Sequence, residues 1–384
     1  MKNLYLVIAA FLVSIFFIYT LLFFYTFANF NDEFKFTFKS LENLNFHKKY
    51  SKKIHHIRDE NYLNTLFNRA KVEDLLFTTI TDPQDKELTV LFQGDSWMEQ
   101  LTSPVDNNFI SQELVEKFNS NKKIRFINGG TGSYSPSVMS LQLDILEDDF
   151  KIFPDIVISY IDQTDLGDEN CRYKYNKVYK NKILKSIQPE AHLMYRDIFN
   201  YSEIYGISKI FLQDNSKISK IFQLINFKFK YGIKKSSIRF YRKYISNLES
   251  DKKRIQKCYA SDILRYLIDA NVEDIKYFED SVKEYTNKIK NRKHIKKLII
   301  VTAPHKENLN PKSSYKLNVS DLVESVIKNQ KNITHINFSK ILLNNKNFDY
   351  ENSWHIDNIH LNTNTHGNLF IREILNGLSK YLML

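Results

Sequence analysis

Hydrophobic residues near the N-terminus form one long run. Residues 4–30 are almost continuously apolar and aromatic. These are about 27 residues, and ~20 suffice for a helix to cross a bilayer. A secretory signal has a shorter apolar core of ~7–15 residues and a small-residue cleavage site, which is not seen after this run. The pattern therefore predicts an uncleaved transmembrane anchor over residues 4–30, with a buried core helix as the alternative.

Beyond this run, short apolar segments alternate with segments of helical periodicity. Residues 31–86 are polar and predict a helical juxtamembrane region. The later pattern predicts strands at 87–93, 123–127, 154–161, 297–302 and 334–338, and helices at 112–118, from Pro136 with Ser135 as N-cap, at 319–329 and at 368–384. Strands that alternate with helices indicate a parallel sheet covered by helices. Residues 170–290 are polar with broken periodicity, which predicts a helical insertion in an α/β domain spanning 87–384.

Glycine is scarce, and it is concentrated near two predicted strand ends. The chain has nine glycines in 384 residues. Four of them, Gly94, Gly129, Gly130 and Gly132, follow the first two strands of the predicted domain. Glycine allows positive φ and close backbone approach, and α/β folds bind ligands at the C-terminal edge of the sheet. These loops are therefore the predicted site.

Three side chains could perform nucleophilic chemistry there. Ser96 follows Gly94 and Asp95 at a strand-to-helix turn, and Asp357 lies three residues before His360 near the C-terminus. A hydroxyl, an imidazole base and an orienting carboxylate are the groups of a Ser–His–Asp triad. Taken singly, Ser96 is as readily a helix N-cap, and the other two are residues of a turn. A metal site that includes the nearby His355 and His366 is a further alternative, although no known metal-ligand spacing is present.

Charge and cysteine content restrict the partners only loosely. The formal net charge is +11, but the lysines are spread over the chain instead of being clustered on one element. This favours a solvated basic surface over a nucleic-acid site. Cys171 and Cys258 lack metal-ligand spacing and could pair in an oxidising compartment, which the sequence alone does not show.

Four segments together resemble the SGNH/GDSL hydrolases. They are Gly94-Asp95-Ser96, residues 128–136 (NGGTGSYSP), residues 162–165 (DQTD) and residues 357–361 (DNIHL), and they occur in the family's order. The resemblance covers most of the chain from about 87 to 384, without the insertion. It implies a flavodoxin-like three-layer α/β/α fold. It also implies that Ser96 is the nucleophile, His360 the base and Asp357 the residue that orients the base.

The resemblance also implies an oxyanion hole, from which this chain departs at one position. The family uses the Ser backbone N–H, a Gly N–H from the second segment and an Asn side chain from the third. The second segment offers Gly132 or Ser133, and Thr164 stands where the Asn is expected. Asp162 and Asp165 would orient the site or bind substrate hydroxyls. His305, which follows the strand at 297–302, is either a loop residue or a ligand contact.

The function expected from these features is a membrane-anchored serine esterase or O-acyltransferase that acts on acyl, in particular acetyl, esters of cell-envelope glycans. It would need neither a cofactor nor a metal, and would bind no nucleic acid. The basic residues after the anchor favour a cytoplasmic domain by the positive-inside rule, whereas an envelope substrate favours the extracytoplasmic, periplasmic side. The alternative is a catalytically silent carbohydrate-binding or assembly protein with the same fold, because Thr164 departs from the family pattern.

Overall fold

The computed structural model describes residues 2–28, 50, 53–54, 76–99, 112–120, 122–187, 216, 218–219, 221–222, 225, 258, 260–354, 358–361 and 368–382. The chain divides into two compact units. The first comprises residues 1–49 and 191–255, and the second comprises residues 50–190 and 256–384.

The described part of the first unit is dominated by helix α1, Lys2–Ala28. Its segment Tyr5–Tyr25 is long and apolar enough to cross a membrane, and its side chains are not buried within the protein. A signal sequence has the same properties, so length and composition suit either role. Phe23 of α1 packs against Phe222 of the same unit, with ring centroids 5.3 Å apart and the rings tilted by 40°.

A six-stranded sheet forms the centre of the second unit. Its strands are β1 Thr78–Thr81, β2 Leu88–Gln93, β3 Ile124–Asn128, β4 Ile156–Ile161, β7 Lys297–Thr302 and β8 Ile333–Asn337. They are arranged in the order β1-β3-β2-β4-β7-β8. A separate hairpin is formed by β5 Lys177–Lys180 and β6 Ile183–Ile187. Only β1 is antiparallel to its neighbour in the six-stranded sheet. β3 pairs with one edge of β2 and β4 pairs with the other, so the following strands are added in opposite directions from β2. The site predicted after β2 therefore lies at a topological switch point, where α/β sheets bind ligands.

Helices cover both faces of this sheet. The described helices of this unit are α2 Ser96–Glu99, α3 Gln112–Phe118, α4 Pro136–Phe150, α5 Ala260–Asp269, α6 Val272–Lys290, α7 Val319–Ile327, α8 Phe338–Asn344 and α9 Asn368–Leu382, together with a short helical turn at Asp165–Gly167 that continues into a π-helix at Asp168–Tyr173, and a 3₁₀ turn at Lys306–Leu309. Alternate strand residues, such as Val90 and Phe92, pack against α2, α3, α8 and α9. The intervening residues face α4 and α6, as the hydrogen bond between Ser159 and Tyr285 of α6 shows. The prediction of an α/β fold with a mostly parallel sheet is confirmed.

Three local features differ from the sequence-based expectation. The segment Thr78–Thr81, expected within a helical region, is the edge strand β1, because it pairs with β3. Within the expected insertion, α6 packs on α4 in the helical layer of the sheet, and residues 177–187 form a hairpin. Ser135 is the residue before α4, as expected, but its hydroxyl donates to Glu169 and does not cap the helix.

Candidate active site

Ser96 follows the C-terminal end of β2 and is the first residue of α2. The chain turns sharply at Gly94, whose φ is +147°. A Cβ atom at this position would lie 2.8 Å from Cβ of Tyr160 on the neighbouring strand β4. Only glycine accommodates both the positive φ and the contact. The turn leaves Ser96 partly exposed at the edge of the sheet.

The structure brings His360 to Ser96 across 264 residues of sequence. The Ser96 Oγ and His360 Nε2 atoms are 2.8 Å apart. The His360 ring also packs against Trp97, with ring centroids 5.7 Å apart. Its loop is fixed by a hydrogen bond from the Lys306 N–H to the carbonyl of Asn358, which has a left-handed φ of 58°. The imidazole is thus placed to accept the Ser96 proton.

Asp357, the predicted third member, lies outside the described residues, and its role stays a prediction. The histidines considered for a metal site, His355 and His366, also lie outside them. Among the residues that the structure describes, no group of three or more His, Cys, Asp or Glu side chains could hold a metal ion.

The loop after β3 packs tightly against α2. A Cβ atom on Gly130 would lie 2.3 Å from the backbone carbon of Met98, so a glycine is required there. The Thr131 N–H donates to the carbonyl of Gly94, and the Gly132 N–H donates to Glu99 Oε2 at 2.9 Å. Ser133 follows in the left-handed region, with φ 63°. Of the two predicted donors of the second segment, Gly132 is therefore held by a carboxylate of α2, and Ser133 is the residue after it.

The loop after β4 places Thr164 against Asp162. The Thr164 hydroxyl donates to Asp162 Oδ2 at 2.8 Å, and the Thr164 N–H donates to the same oxygen at 3.3 Å. A hydroxyl has one proton to donate. Thr164 would therefore have to release Asp162 before it could donate to an oxyanion.

Asp162 is the centre of a buried polar network. His305 Nε2 lies 3.1 Å from both Asp162 oxygens, and the Tyr160 hydroxyl donates to Oδ1 at 3.1 Å. Asp162 and His305 are 1% and 2% exposed. Burial acts to raise the pKa of Asp162, but the charge and hydrogen bond of His305, together with Thr164, hold it below its usual range. His305 is thus a site-supporting residue that the sequence left ambiguous, and its position directly after β7 was the available signal.

Two further carboxyl groups of this network favour the protonated state. Burial raises the pKa of Asp95 well above its usual value, and the charge of Asp162 raises it further. Burial likewise raises the pKa of Asp165, with Asp95 and Asp162 adding to the effect. Asp165 Oδ2 accepts from the Asp162 N–H at 3.2 Å, and the residue is fully buried. Asp165 therefore supports the turn instead of reaching a substrate.

Two backbone N–H groups, one at Ser96 and one in the loop after β3, are candidates for binding an anion. Within the described residues, neither the Ser96 N–H nor the Ser133 N–H donates to a protein acceptor. Backbone N–H groups of this kind stabilise the negative charge that develops in acyl transfer. The site thus contains a hydroxyl, a base and candidate oxyanion donors at one edge of the sheet.

Comparisons with known proteins give only distant similarity. No protein-family model and no curated protein matches this chain. Among solved structures, it is similar to Axe2, an acetylxylan esterase from Geobacillus stearothermophilus, with 12% identity, a TM-score of 0.38 and coverage of 76% of this chain and 94% of that one. It is also similar to LAE5, an alpha/beta hydrolase enzyme from the metagenome of Lake Arreo, Spain, with 10% identity, a TM-score of 0.36 and coverage of 77% and 94%. These values are too low to assign an activity to this chain.

Proposed function

We propose that this protein is a membrane-anchored, SGNH-type serine esterase or O-acyltransferase that acts on acyl esters, in particular acetyl esters, of cell-envelope glycans. The observation that carries the proposal is the 2.8 Å separation between Ser96 Oγ and His360 Nε2. A serine and an imidazole at this distance form the nucleophile–base pair of acyl transfer. Asp357 would orient the base, as the sequence predicts.

The reaction proceeds through an acyl-enzyme. Ser96 Oγ bonds to the ester carbonyl carbon while its proton passes to His360 Nε2. The carbonyl oxygen carries the negative charge in the tetrahedral intermediate, where backbone N–H groups stabilise it. The bond from that carbon to the alcohol oxygen then breaks, and the alcohol leaves with the proton from His360. Water or a glycan hydroxyl attacks the acyl-enzyme by the reverse sequence, which gives hydrolysis or transfer.

The disulfide supports an extracytoplasmic location. Cys171 and Cys258 are bonded in the structure, and such bonds persist in oxidising compartments such as the periplasm. With α1 as a membrane anchor, the catalytic unit would face the cell envelope. Reporter fusions at the C-terminus test this: alkaline phosphatase should be active there, and cytoplasmic green fluorescence at that end would contradict it.

The catalytic part of the proposal is tested with p-nitrophenyl acetate and the full chain in detergent. We expect p-nitrophenol release that Ser96→Ala abolishes. Ser325→Ala, which removes a hydroxyl on the exposed side of α7, should retain it. Equal release by wild type and Ser96→Ala would contradict the proposal.

A second candidate is a catalytically silent carbohydrate-binding or assembly protein. It is favoured by the Thr164 hydroxyl, which donates to Asp162 in the position where the family has an oxyanion donor. Glycan binding that survives Ser96→Ala, without turnover of any acyl ester by wild type, would support this candidate.

A further inference from the structure

The loop after β3 offers two backbone donors, and they differ in their hydrogen bonds. The Gly132 N–H donates to Glu99 Oε2 at 2.9 Å, and Glu99 is only 5% exposed. Among the described residues, the adjacent Ser133 N–H has no acceptor. An oxyanion could therefore use Ser133 without displacing a buried carboxylate, whereas use of Gly132 would require Glu99 to move.

Ser133 adopts a conformation that needs external support. Its φ of 63° lies in the left-handed region, which a residue with a Cβ atom rarely adopts. Two adjacent residues of the π-helix hold it there. Arg172 Nη1 donates to Ser133 Oγ at 2.5 Å, and the Tyr173 hydroxyl donates to the Ser133 carbonyl. One side-chain atom and one backbone atom of Ser133 thus accept hydrogen bonds from the same helix.

The π-helix itself is anchored from several directions. Arg172 Nε pairs with Asp168 Oδ1 at 3.1 Å, which orients the guanidinium. The fully buried Glu169 accepts hydrogen bonds from Ser135 Oγ at 2.6 Å and from Lys177 Nζ at 2.8 Å. Cys171 links the same helix to Cys258. Single-turn π-helices occur frequently at functional sites, and this one is bonded to its surroundings through Ser135, Lys177 and Cys258.

We infer that the π-helix Asp168–Tyr173 positions the second oxyanion donor. The hydrogen bonds from Arg172 and Tyr173 to Ser133, referred to below as the grip, hold the Ser133 N–H towards the reacting carbonyl. The Gly132 N–H does not serve as this donor. This inference rests on the proposed function. Arg172 and Tyr173 act as positioning residues, and Glu99 keeps the Gly132 N–H engaged. The grip also compensates for the engagement of Thr164 with Asp162, because the Ser96 and Ser133 N–H groups provide two donors from backbone alone.

The test measures kcat and KM for p-nitrophenyl acetate with the full chain in detergent. Loss of one oxyanion donor lowers kcat by ~10²–10³-fold. We expect Arg172→Ala to lower kcat by about tenfold or more, with KM within about twofold, because the donor is misplaced and not removed. Tyr173→Phe, a nearly isosteric change, should lower kcat by a smaller factor. Arg265→Ala, at an exposed arginine that pairs with Asp269 on α5, should leave both parameters unchanged.

A double-mutant cycle separates positioning from general destabilisation. Ser133→Gly adopts positive φ without a grip and lacks the hydroxyl that Arg172 contacts. Arg172→Ala should therefore cost much less in the Ser133→Gly background than in wild type, and such non-additivity marks a direct interaction. If Arg172→Ala fails to fold, the same cycle is run with Tyr173→Phe. Additive losses in the cycle, or an unchanged kcat in the folded single variants, would overturn the inference while wild-type turnover still upholds the proposed function.

Discussion

His305 and Asp162 form a buried pair in which the imidazole Nε2 lies 3.1 Å from both carboxylate oxygens. Asp162 follows β4 and His305 follows β7, so the pair joins the C-terminal ends of two neighbouring strands. It lies beside Asp95, the residue before Ser96, as the electrostatic effect of Asp162 on Asp95 shows. The pair therefore supports the loops beneath the site. The proposed nucleophile and general base are other residues, Ser96 and His360.

Removal of His305 should destabilise the fold strongly. Loss of one partner from a buried ion pair leaves an uncompensated charge and costs about 3–5 kcal/mol. We expect His305→Ala to lower the free energy of unfolding by this amount in urea titration. His294→Ala is the control, because His294 is 35% exposed at its side chain where it contacts Glu147, and exposed pairs contribute only about 0–1 kcal/mol. Equal losses in the two variants would refute the buried pair as a stabilising element.

Asparagine should replace Asp95 with little loss. Burial and the charge of Asp162 raise the pKa of Asp95, so the protonated acid is the favoured form. Its Oδ1 accepts from the Trp97 N–H at 2.9 Å, and the protonated oxygen donates to Asp162. An amide can do both. We expect Asp95→Asn to retain p-nitrophenyl acetate turnover within a few-fold at pH 7, and Asp95→Ala to lose most of it; a severe loss in Asp95→Asn would show that the carboxylate form is needed.

The pH dependence of stability should include a contribution from Asp168. Burial raises its pKa from 3.8 to about 7, with Arg172 opposing the rise. Between these two pH values the folded state holds a proton that the unfolded state releases. The contribution of Asp168 to the free energy of unfolding is therefore full below pH 4 and is lost as pH rises towards 7. The loss is on the order of 4 kcal/mol at most. Asp168→Asn should therefore gain stability relative to wild type from pH 4 to 7 in urea titrations, and a pH-independent difference would contradict the assignment.

The disulfide should contribute substantially to stability. Cys171 and Cys258 are 87 residues apart, and in the chain-entropy model a loop of this size stabilises the folded state by about 4.6 kcal/mol. We expect the double variant with both cysteines changed to serine to unfold at lower urea concentration by a corresponding amount. Because Cys171 lies in the π-helix, the same variant should also show a lower kcat. A double variant with unchanged stability would contradict the contribution of the bond.

The arrangement of the sheet was predictable because its central strands have strong local signals. The strand from Lys297 to Thr302 has the expected bounds, since a fully buried parallel strand is a continuous apolar run. Edge strand β1 was missed because the Thr-rich sequence of Thr78–Thr81 has no apolar run, and only its pairing with β3 makes it a strand. Helix α6 carries a capping box at Asn271 and Asp274, which was a readable start signal inside the expected insertion.

The site was predictable in part, for a related reason. The order of motifs and their positions after strands led to Ser96 and His360, which the structure brings to 2.8 Å. Contacts between distant segments have no local signature. The grip of Arg172 on Ser133, the bond from Gly132 to Glu99 and the pairing of His305 with Asp162 all depend on which loops meet at the sheet edge. They could be found only from the folded chain.

The role of Ser96 as a nucleophile activated by His360 is tested most directly by the rate and location of covalent labelling with a fluorophosphonate probe. In the folded full chain, mass spectrometry should place the phosphonyl group on Ser96, and Ser96→Ala should remain unlabelled. Because a general base contributes ~10²–10⁴-fold, His360→Ala should be labelled at least about 10²-fold more slowly, while Ser325→Ala keeps the wild-type rate. An unlabelled wild type beside a labelled control esterase, or label on another residue, would contradict the assignment of Ser96 as the nucleophile.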